Sequence, residues 1–121
     1  MFEVIIYASE NGKSSVKDFF DSLHTDKSKN ARINLKKVLL YLKMLSENGL
    51  QLRPPIIKKI EGEIWELRPL DNRILFFAWN GNAFVLLHHF VKKTQKTPKN
   101  EIEQAQQNML NFKKQNQKKG L

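Results

Sequence analysis

Hydrophobic residues recur with two different periods along this chain, and the two periods separate strands from helices. Residues 2–8 are dense in Val, Ile, Phe and Tyr and stop at the polar run Ser9-Glu10-Asn11-Gly12, which predicts a first strand. Ser15 lies three residues before Asp18, a pattern typical of a helix start, and we predict a short first helix that ends near His24. Its apolar face consists of Val16, Phe19, Phe20 and Leu23.

The strongest periodicity lies between about Ser28 and Glu47 and predicts a second, longer helix. Its apolar residues recur at intervals of four, three, four and three: Ala31, Leu35, Val38, Leu42 and Leu45. Asn48-Gly49 supplies the residue types that end helices. Arg53-Pro54-Pro55 then predicts a connecting loop, because proline is excluded from helix interiors and from central strands.

The second half of the chain is predicted to form four strands followed by one helix. A short strand is predicted at residues 56–60, and three more at 63–69, 73–79 and 83–91. The last two connections, Pro69-Leu70-Asp71-Asn72 and Asn80-Gly81-Asn82, are short and rich in turn formers, which predicts antiparallel pairing of consecutive strands.

Thr97-Pro98 predicts the start of a final helix, with Thr97 as its cap and Pro98 at its first position. Its apolar stripe consists of Ile102, Ala105, Met109 and Phe112, and we predict that residues 113–121 form a frayed basic tail. The whole order predicts a single α+β domain over residues 1–121. In it, helices pack on one face of an antiparallel sheet and leave the other face free for function.

Composition narrows the classes of partner. Lys and Arg number 21 against 12 Asp and Glu, a net charge of +9, which indicates a nucleic acid, an anionic membrane surface or an acidic protein. The chain has no cysteine, so it forms no disulfide, and with three histidines a metal site is not expected. Neither a signal peptide nor a membrane span is recognisable, and we expect a soluble cytoplasmic protein.

The positive charge is concentrated near the end of the last strand. Residues 92–121 carry eight lysines and two acids, or +6 of the total +9, and Lys92, Lys96 and Lys99 are candidate RNA contacts. Strand alternation predicts that His88 and His89 point to opposite sides and that His89 shares a face with Lys93. We therefore expect five groups to gather at one end of one sheet face: Glu66, Arg68, Arg73, His89 and Lys93.

Such a cluster suits cleavage of RNA by its own ribose 2′-hydroxyl. Attack on the adjacent phosphate builds negative charge on the nonbridging oxygens, and arginine stabilises that charge through paired hydrogen bonds. His89, Glu66 or a lysine is then a candidate proton carrier. The same residues have alternative interpretations without a catalytic role. These are a Glu66–Arg68 ion pair, histidines with structural roles, aromatic residues that only fill the core, and lysines that only confer solubility.

Three strings of the sequence resemble HigB-type toxins of the RelE/ParE superfamily, the phage-derived toxin-like subgroup. They are Ile64-Trp65-Glu66-Leu67-Arg68-Pro69, Asn72-Arg73-Ile74-Leu75-Phe76-Phe77 and Leu87-His88-His89-Phe90-Val91-Lys92-Lys93-Thr94-Gln95-Lys96-Thr97-Pro98. In the resemblance Arg73 matches the arginine that opens the third strand, and Arg68 matches the basic residue that ends the second. Lys93 falls where the superfamily often has another basic residue.

The resemblance implies a RelE-like fold and the toxin of a type II toxin-antitoxin pair. It implies an endoribonuclease that cuts mRNA in the ribosomal A site without a metal or other cofactor. The implied partner is a helix-turn-helix antitoxin, HigA-like, that neutralises the toxin and binds the operator with it. A ParE-like gyrase inhibitor and a non-catalytic nucleic-acid or protein-binding module remain as alternatives, and the residue that moves protons stays open.

Overall fold

The computed structural model describes residues 1–119 and shows one five-stranded sheet with three α-helices. The elements in chain order are β1 (Glu3–Ile6), α1 (Ser15–Thr25), α2 (Lys29–Asn48), a 3-10 turn (Gly49–Gln51), β2 (Ile57–Glu61), β3 (Ile64–Leu67), β4 (Asn72–Trp79), β5 (Ala83–Val91) and α3 (Lys99–Lys119). The predicted α+β class and the order of its elements are confirmed.

The strands lie in the order β1-β5-β4-β3-β2. Antiparallel pairing of β2 through β5 is confirmed, but β1 pairs parallel to β5, so the sheet is mixed and not antiparallel throughout. The long path through α1 and α2 returns the chain to the far edge of the sheet, and such a crossover permits parallel pairing. The central strand is therefore β4, between β5 and β3.

Local signals explain where the first two helices start and end. The Ser14 hydroxyl accepts the Lys17 amide, so the cap of α1 is Ser14 and the helix starts at Ser15. Ser28 caps α2 in the same way through the Ala31 amide. At the other end of α2, Gly49 has φ +60°, and a Cβ there would lie 2.7 Å from the Phe2 ring. Glycine is required at that position on both grounds.

Helices cover both faces of the sheet, which corrects the prediction that one face is free. On the first face α1 and α2 pack against strand residues that include Leu67, Phe76 and Leu86, and we call this the α1/α2 face. On the second, α3 packs through Ala105 and Phe112 against residues from β3, β4 and β5, and we call this the α3 face. The apolar stripe of α3 needs burial, and the second sheet face supplies it. A functional site must therefore lie where this covering ends.

The predicted fraying after Phe112 is wrong for residues 113–119, which continue α3. The Lys113 ammonium group pairs with Glu63 and lies over the Phe77 ring, 5.5 Å from its centroid. Residues 120–121 of that prediction lie outside the described residues. No helix within residues 1–119 is long and apolar enough to cross a bilayer.

An irregularity in the β4–β5 ladder changes which side chains share a face. Leu75 pairs with His88 while Phe76 pairs with Leu86, so Leu87 is an extra residue in β5. Beyond this bulge, His88 and Phe90 lie on the α3 face beside Leu87, and His89 faces α1. The alternation predicted for β5, with Leu87 and His89 on one face, is therefore wrong.

Candidate active site

Glu66 is the centre of the cluster of charged residues that the structure brings together. It lies on β3, is only 1% exposed, and its Oε1 is 3.4 Å from Arg68 Nε and 3.8 Å from Arg73 Nε. Its second oxygen, Oε2, accepts a hydrogen bond of 2.8 Å from the Thr97 hydroxyl. One carboxylate thus pairs with two guanidinium groups, which leaves one positive charge in excess, and holds the loop that leads into α3.

Arg73 is buried and held rigidly. Its side chain donates from Nη1 to the backbone carbonyls of Leu70 and Asn72, both at 2.8 Å, and the residue is 6% exposed. Burial lowers the pKa of this guanidinium and nearby Arg68 lowers it further, while Glu66 and Asp71 oppose both effects. The ordinary value is so high that the group keeps its charge at neutral pH. The turn before β4 therefore fixes a positive charge in a poorly solvated place.

Arg68 follows the end of β3 and retains a free donor. Its side chain is 21% exposed, and its Nε lies at ion-pair distance from Glu66 without forming a hydrogen bond. Within the part of the chain that the structure describes, this Nε is the buried side-chain nitrogen or oxygen without a hydrogen-bond partner. A ligand can therefore reach Arg68 only through the exposed part of its side chain.

The loop of residues 92–98, which we call the basic strap, closes over this cluster. Together with Glu66, Arg73 and Phe90 it lines a narrow crevice. The strap is tied to the body by the Lys92 amide, which donates to the Asp71 carbonyl at 2.7 Å, and by the Thr97 hydroxyl. Lys93 and Lys96 are exposed, whereas Lys99 begins α3 and does not line the crevice.

Of the predicted site residues, the structure therefore brings together Glu66, Arg68, Arg73 and Lys93, with Lys92 and Lys96 beside them. The contact that Thr97 makes with Glu66 is not visible in the sequence. The position of Thr97 before a helix is typical of a cap, but its hydroxyl donates to Glu66, and the Ile102 amide bonds to the Pro98 carbonyl. No local signal reveals this contact, since 31 residues separate the two partners.

His89 does not join this cluster, which corrects the prediction. Its ring stacks on Phe19 of α1, with centroids 3.7 Å apart and planes inclined by 8°, on the α1/α2 face. Its Nε2 lies 3.1 Å from the side-chain oxygen of Asn72, whose amide nitrogen donates to Asn34 of α2. The bulge at Leu87 is the physical reason, because one extra residue turns His89 to the opposite face.

The buried position of His89 has a consequence for stability at low pH. Burial lowers its pKa from 6.5 to about 4, with His88 contributing to the shift. Between these values the unfolded chain binds a proton that the folded chain does not, so stability is lost as pH falls. Urea unfolding at pH 7 and pH 4.5 should show a loss attributable to His89 of about 2–3 kcal/mol. The His89→Gln variant should lose correspondingly less stability between pH 7 and pH 4.5. The exposed control His24→Gln should lose as much as wild type does.

His88 has a structural role, as one of the alternatives predicted. Its Nδ1 lies 2.9 Å from the Ser15 hydroxyl, and its Nε2 lies 2.7 Å from the Glu101 carboxylate. The Ser15 oxygen also accepts the His89 amide at 2.9 Å, so this one hydroxyl is bonded to two consecutive residues of β5. The residue types are those of a hydrolase triad, but here they join α1, β5 and α3. Within residues 1–119, no three His, Asp or Glu side chains are placed to hold a metal ion.

Comparison with known proteins identifies the family of the chain. Residues 18–110 match the family described as "Phage derived protein Gp49-like (DUF891)". The chain is also 39% identical over 102 residues to two proteins named "Probable endoribonuclease HigB1" from Mycobacterium tuberculosis, strains CDC 1551 / Oshkosh and ATCC 25618 / H37Rv. Each alignment covers 81% of this chain and 74% of the relative. The chain therefore belongs to the Gp49-like family of phage-derived proteins, and its resemblance to HigB-type toxins is confirmed.

Proposed function

We propose that this protein is the toxin of a toxin-antitoxin pair and acts as an endoribonuclease on mRNA that is being translated. The observation that carries the proposal is the buried carboxylate of Glu66 between Arg68 and Arg73, beneath a strap that supplies Lys92, Lys93 and Lys96. The name of the mycobacterial relatives, "Probable endoribonuclease HigB1", supports the same chemistry. The reaction proposed is attack of a ribose 2′-oxygen on the neighbouring phosphate, without a metal. The bond to the 5′-oxygen of the next nucleotide breaks, the 2′-hydroxyl loses its proton, the leaving oxygen gains one, and a 2′,3′-cyclic phosphate remains.

Arg73 and Arg68 are proposed to stabilise the charge that develops on the phosphate. Arg73 is already fixed by two backbone carbonyls, so no reorganisation is needed as that charge appears. Arg68 is partly exposed, and its guanidinium group is proposed to bind the same phosphate. The exposed ammonium group of Lys93 is proposed to bind the same phosphate, while Lys92 and Lys96 bind its neighbours.

Glu66 is proposed to position the two arginines and not to contact RNA. At 1% exposure it is out of reach of a substrate, and its two oxygens are directed at Arg68, Arg73 and Thr97. Its negative charge allows two guanidinium groups to stand close together, since like charges repel strongly in a poorly solvated site. Lys92, Lys93 and Lys96 are then the proton-carrying side chains that remain in the crevice, and His89 lies on the other face.

Arg68→Ala tests the proposal with little risk to the fold. Because Arg68 is partly exposed, its ion pair with Glu66 is long at 3.4 Å, and Glu66 keeps Arg73 as a partner, stability should fall by about 1 kcal/mol. Cleavage of mRNA on translating ribosomes should fall about 100-fold, since a charge-stabilising donor is lost. Primer extension on translated and on naked messages measures both the loss and the need for ribosomes.

Arg32→Ala is the matched control, because it removes an exposed arginine from α2, away from the crevice. It should cleave as wild type does. Unchanged cleavage by Arg68→Ala would contradict the assigned role. Intact transcripts together with accumulated DNA breaks would favour gyrase inhibition, and binding without any cleavage would favour a non-catalytic module.

A further inference from the structure

A second concave surface lies on the α1/α2 face, away from the arginine crevice. It is a groove of about 1030 Å³ between α1, the start of α2, the turn before β4 and the end of β5. Its floor includes Phe19 and the His89 ring that stacks on it. The proposed reaction uses no residue of this groove as a contact to RNA.

The charge of the groove is opposite to that of the protein. The chain carries 21 Lys and Arg and a net charge of +9, yet no Lys or Arg is among the described residues that line the groove. Three aspartates line it instead, all exposed: Asp18, Asp26 and Asp71. Phosphates are repelled from such a surface, while a segment that carries Lys or Arg is attracted.

The rim of the groove is apolar. Ile33, Leu70 and Val91 are 47%, 45% and 53% exposed, and all three line it. Large apolar side chains gathered around one groove mark a surface that gains from being covered by protein. Apolar walls with aspartates among them suit a peptide segment whose apolar side chains alternate with basic ones.

We propose that this groove binds a segment of the cognate antitoxin that carries apolar anchors and at least one Lys or Arg. This inference rests on the proposed function only in so far as a toxin of this kind has an antitoxin. A second copy of the chain fits less well, because two chains of charge +9 repel each other. The aspartates of the groove favour a basic segment, whatever the net charge of the whole antitoxin.

Binding there reaches the active site without covering it. Leu70, Asp71 and Asn72 form one wall of the groove, and the carbonyls of Leu70 and Asn72 hold the Arg73 guanidinium on the other side. Leu70 has φ +59°, a left-handed conformation that costs a leucine energy and that its surroundings must maintain. An antitoxin segment that repacks this turn therefore displaces Arg73, and it also reaches the basic strap, because the Lys92 amide donates to the Asp71 carbonyl.

Asp18→Lys tests the electrostatic half of the proposal, with Asp21→Lys as its matched control. Both exposed aspartates lie on α1, but Asp18 lines the groove and Asp21 does not, being paired with Lys17. The dissociation constant for the purified cognate antitoxin, measured by calorimetry, should rise at least tenfold for Asp18→Lys. It should change less than twofold for Asp21→Lys, and the salt dependence of binding should weaken only for Asp18→Lys.

Val91→Ser tests the apolar half, with Leu110→Ser as its control, since Leu110 is exposed on α3. Val91→Ser should weaken antitoxin binding about fivefold or more, and Leu110→Ser should not. Both groove variants, as free toxins, should cleave RNA as wild type does, so a failure of the nuclease proposal is seen separately in the cleavage assay. The inference is overturned if both groove variants bind the antitoxin as tightly as wild type does. It is also overturned if sedimentation shows that the toxin forms a dimer and that Asp18→Lys dissociates this dimer.

Discussion

Replacing Arg73 with lysine is expected to lower cleavage of ribosome-bound mRNA by about 100-fold, and replacing it with alanine by about 1000-fold or more. The lysine variant keeps a positive charge but loses the planar guanidinium that can hold two carbonyls and a phosphate together. Primer extension on translating ribosomes gives the activity, and thermal unfolding of the same samples gives the stability.

In the two Arg73 variants a loss of activity must be distinguished from a loss of stability, because the residue also supports the fold. Arg73→Ala leaves the carbonyls of Leu70 and Asn72 without their donor and creates space at a position that is 6% exposed. We expect it to cost about 2–4 kcal/mol. Arg73→Lys should cost less, because its ammonium group can still donate to a carbonyl. Full activity in a folded Arg73→Lys protein would remove Arg73 from the proposed mechanism.

Replacing Glu66 with glutamine is expected to cost the protein about as much stability as Arg73→Ala does. Removal of one partner of a buried ion pair typically costs about 3–5 kcal/mol, and here one carboxylate serves both Arg68 and Arg73. Since Arg68 is partly exposed, we expect about 3 kcal/mol, or roughly 10 °C in the midpoint of thermal unfolding. Cleavage should fall as well, because the two guanidinium groups then repel each other.

Glu63→Gln is the control for this change. Glu63 lies just before β3 and pairs with Lys113, but the pair is largely exposed, so its loss should cost less than about 1 kcal/mol. Urea unfolding of the two variants beside wild type gives the comparison. Equal stability of Glu66→Gln and Glu63→Gln would show that Glu66 does not hold the arginines in place.

The expected effects of changing Arg73 and Glu66 have one structural cause. Charged side chains lie close together there with little exposure to solvent. Arg73 is fixed from one side by the turn before β4 and from the other by Glu66, which also holds the strap through Thr97. The covering of the sheet on both faces makes this possible, since α3 closes the second face and starts where the strap ends. The site is therefore an edge feature at the end of β3 and β5, not an open sheet face.

A single extra residue in β5 explains why the position of His89 could not be predicted from the sequence. Alternation along β5 is a sound rule while the ladder is regular, but Leu87 has no partner between Leu75 and Phe76. Every side chain beyond it changes face, so His89 meets Phe19 and Asn72 and not the arginines. Nothing in the run Leu86-Leu87-His88-His89 marks the bulge.

The sequence suggested a group of Glu66, Arg68, Arg73, His89 and Lys93, from which the structure removes His89. The sequence by itself determined the α+β class, the order of elements and the position of the turns. These follow from local periodicity, caps and turn residues, which act over a few neighbouring positions. Only the tertiary structure decided that α3 covers the second face, that Thr97 bonds Glu66, and that an acidic groove lies behind the turn that holds Arg73. Those features depend on contacts between residues far apart in the chain, and their register is set by packing of the whole fold.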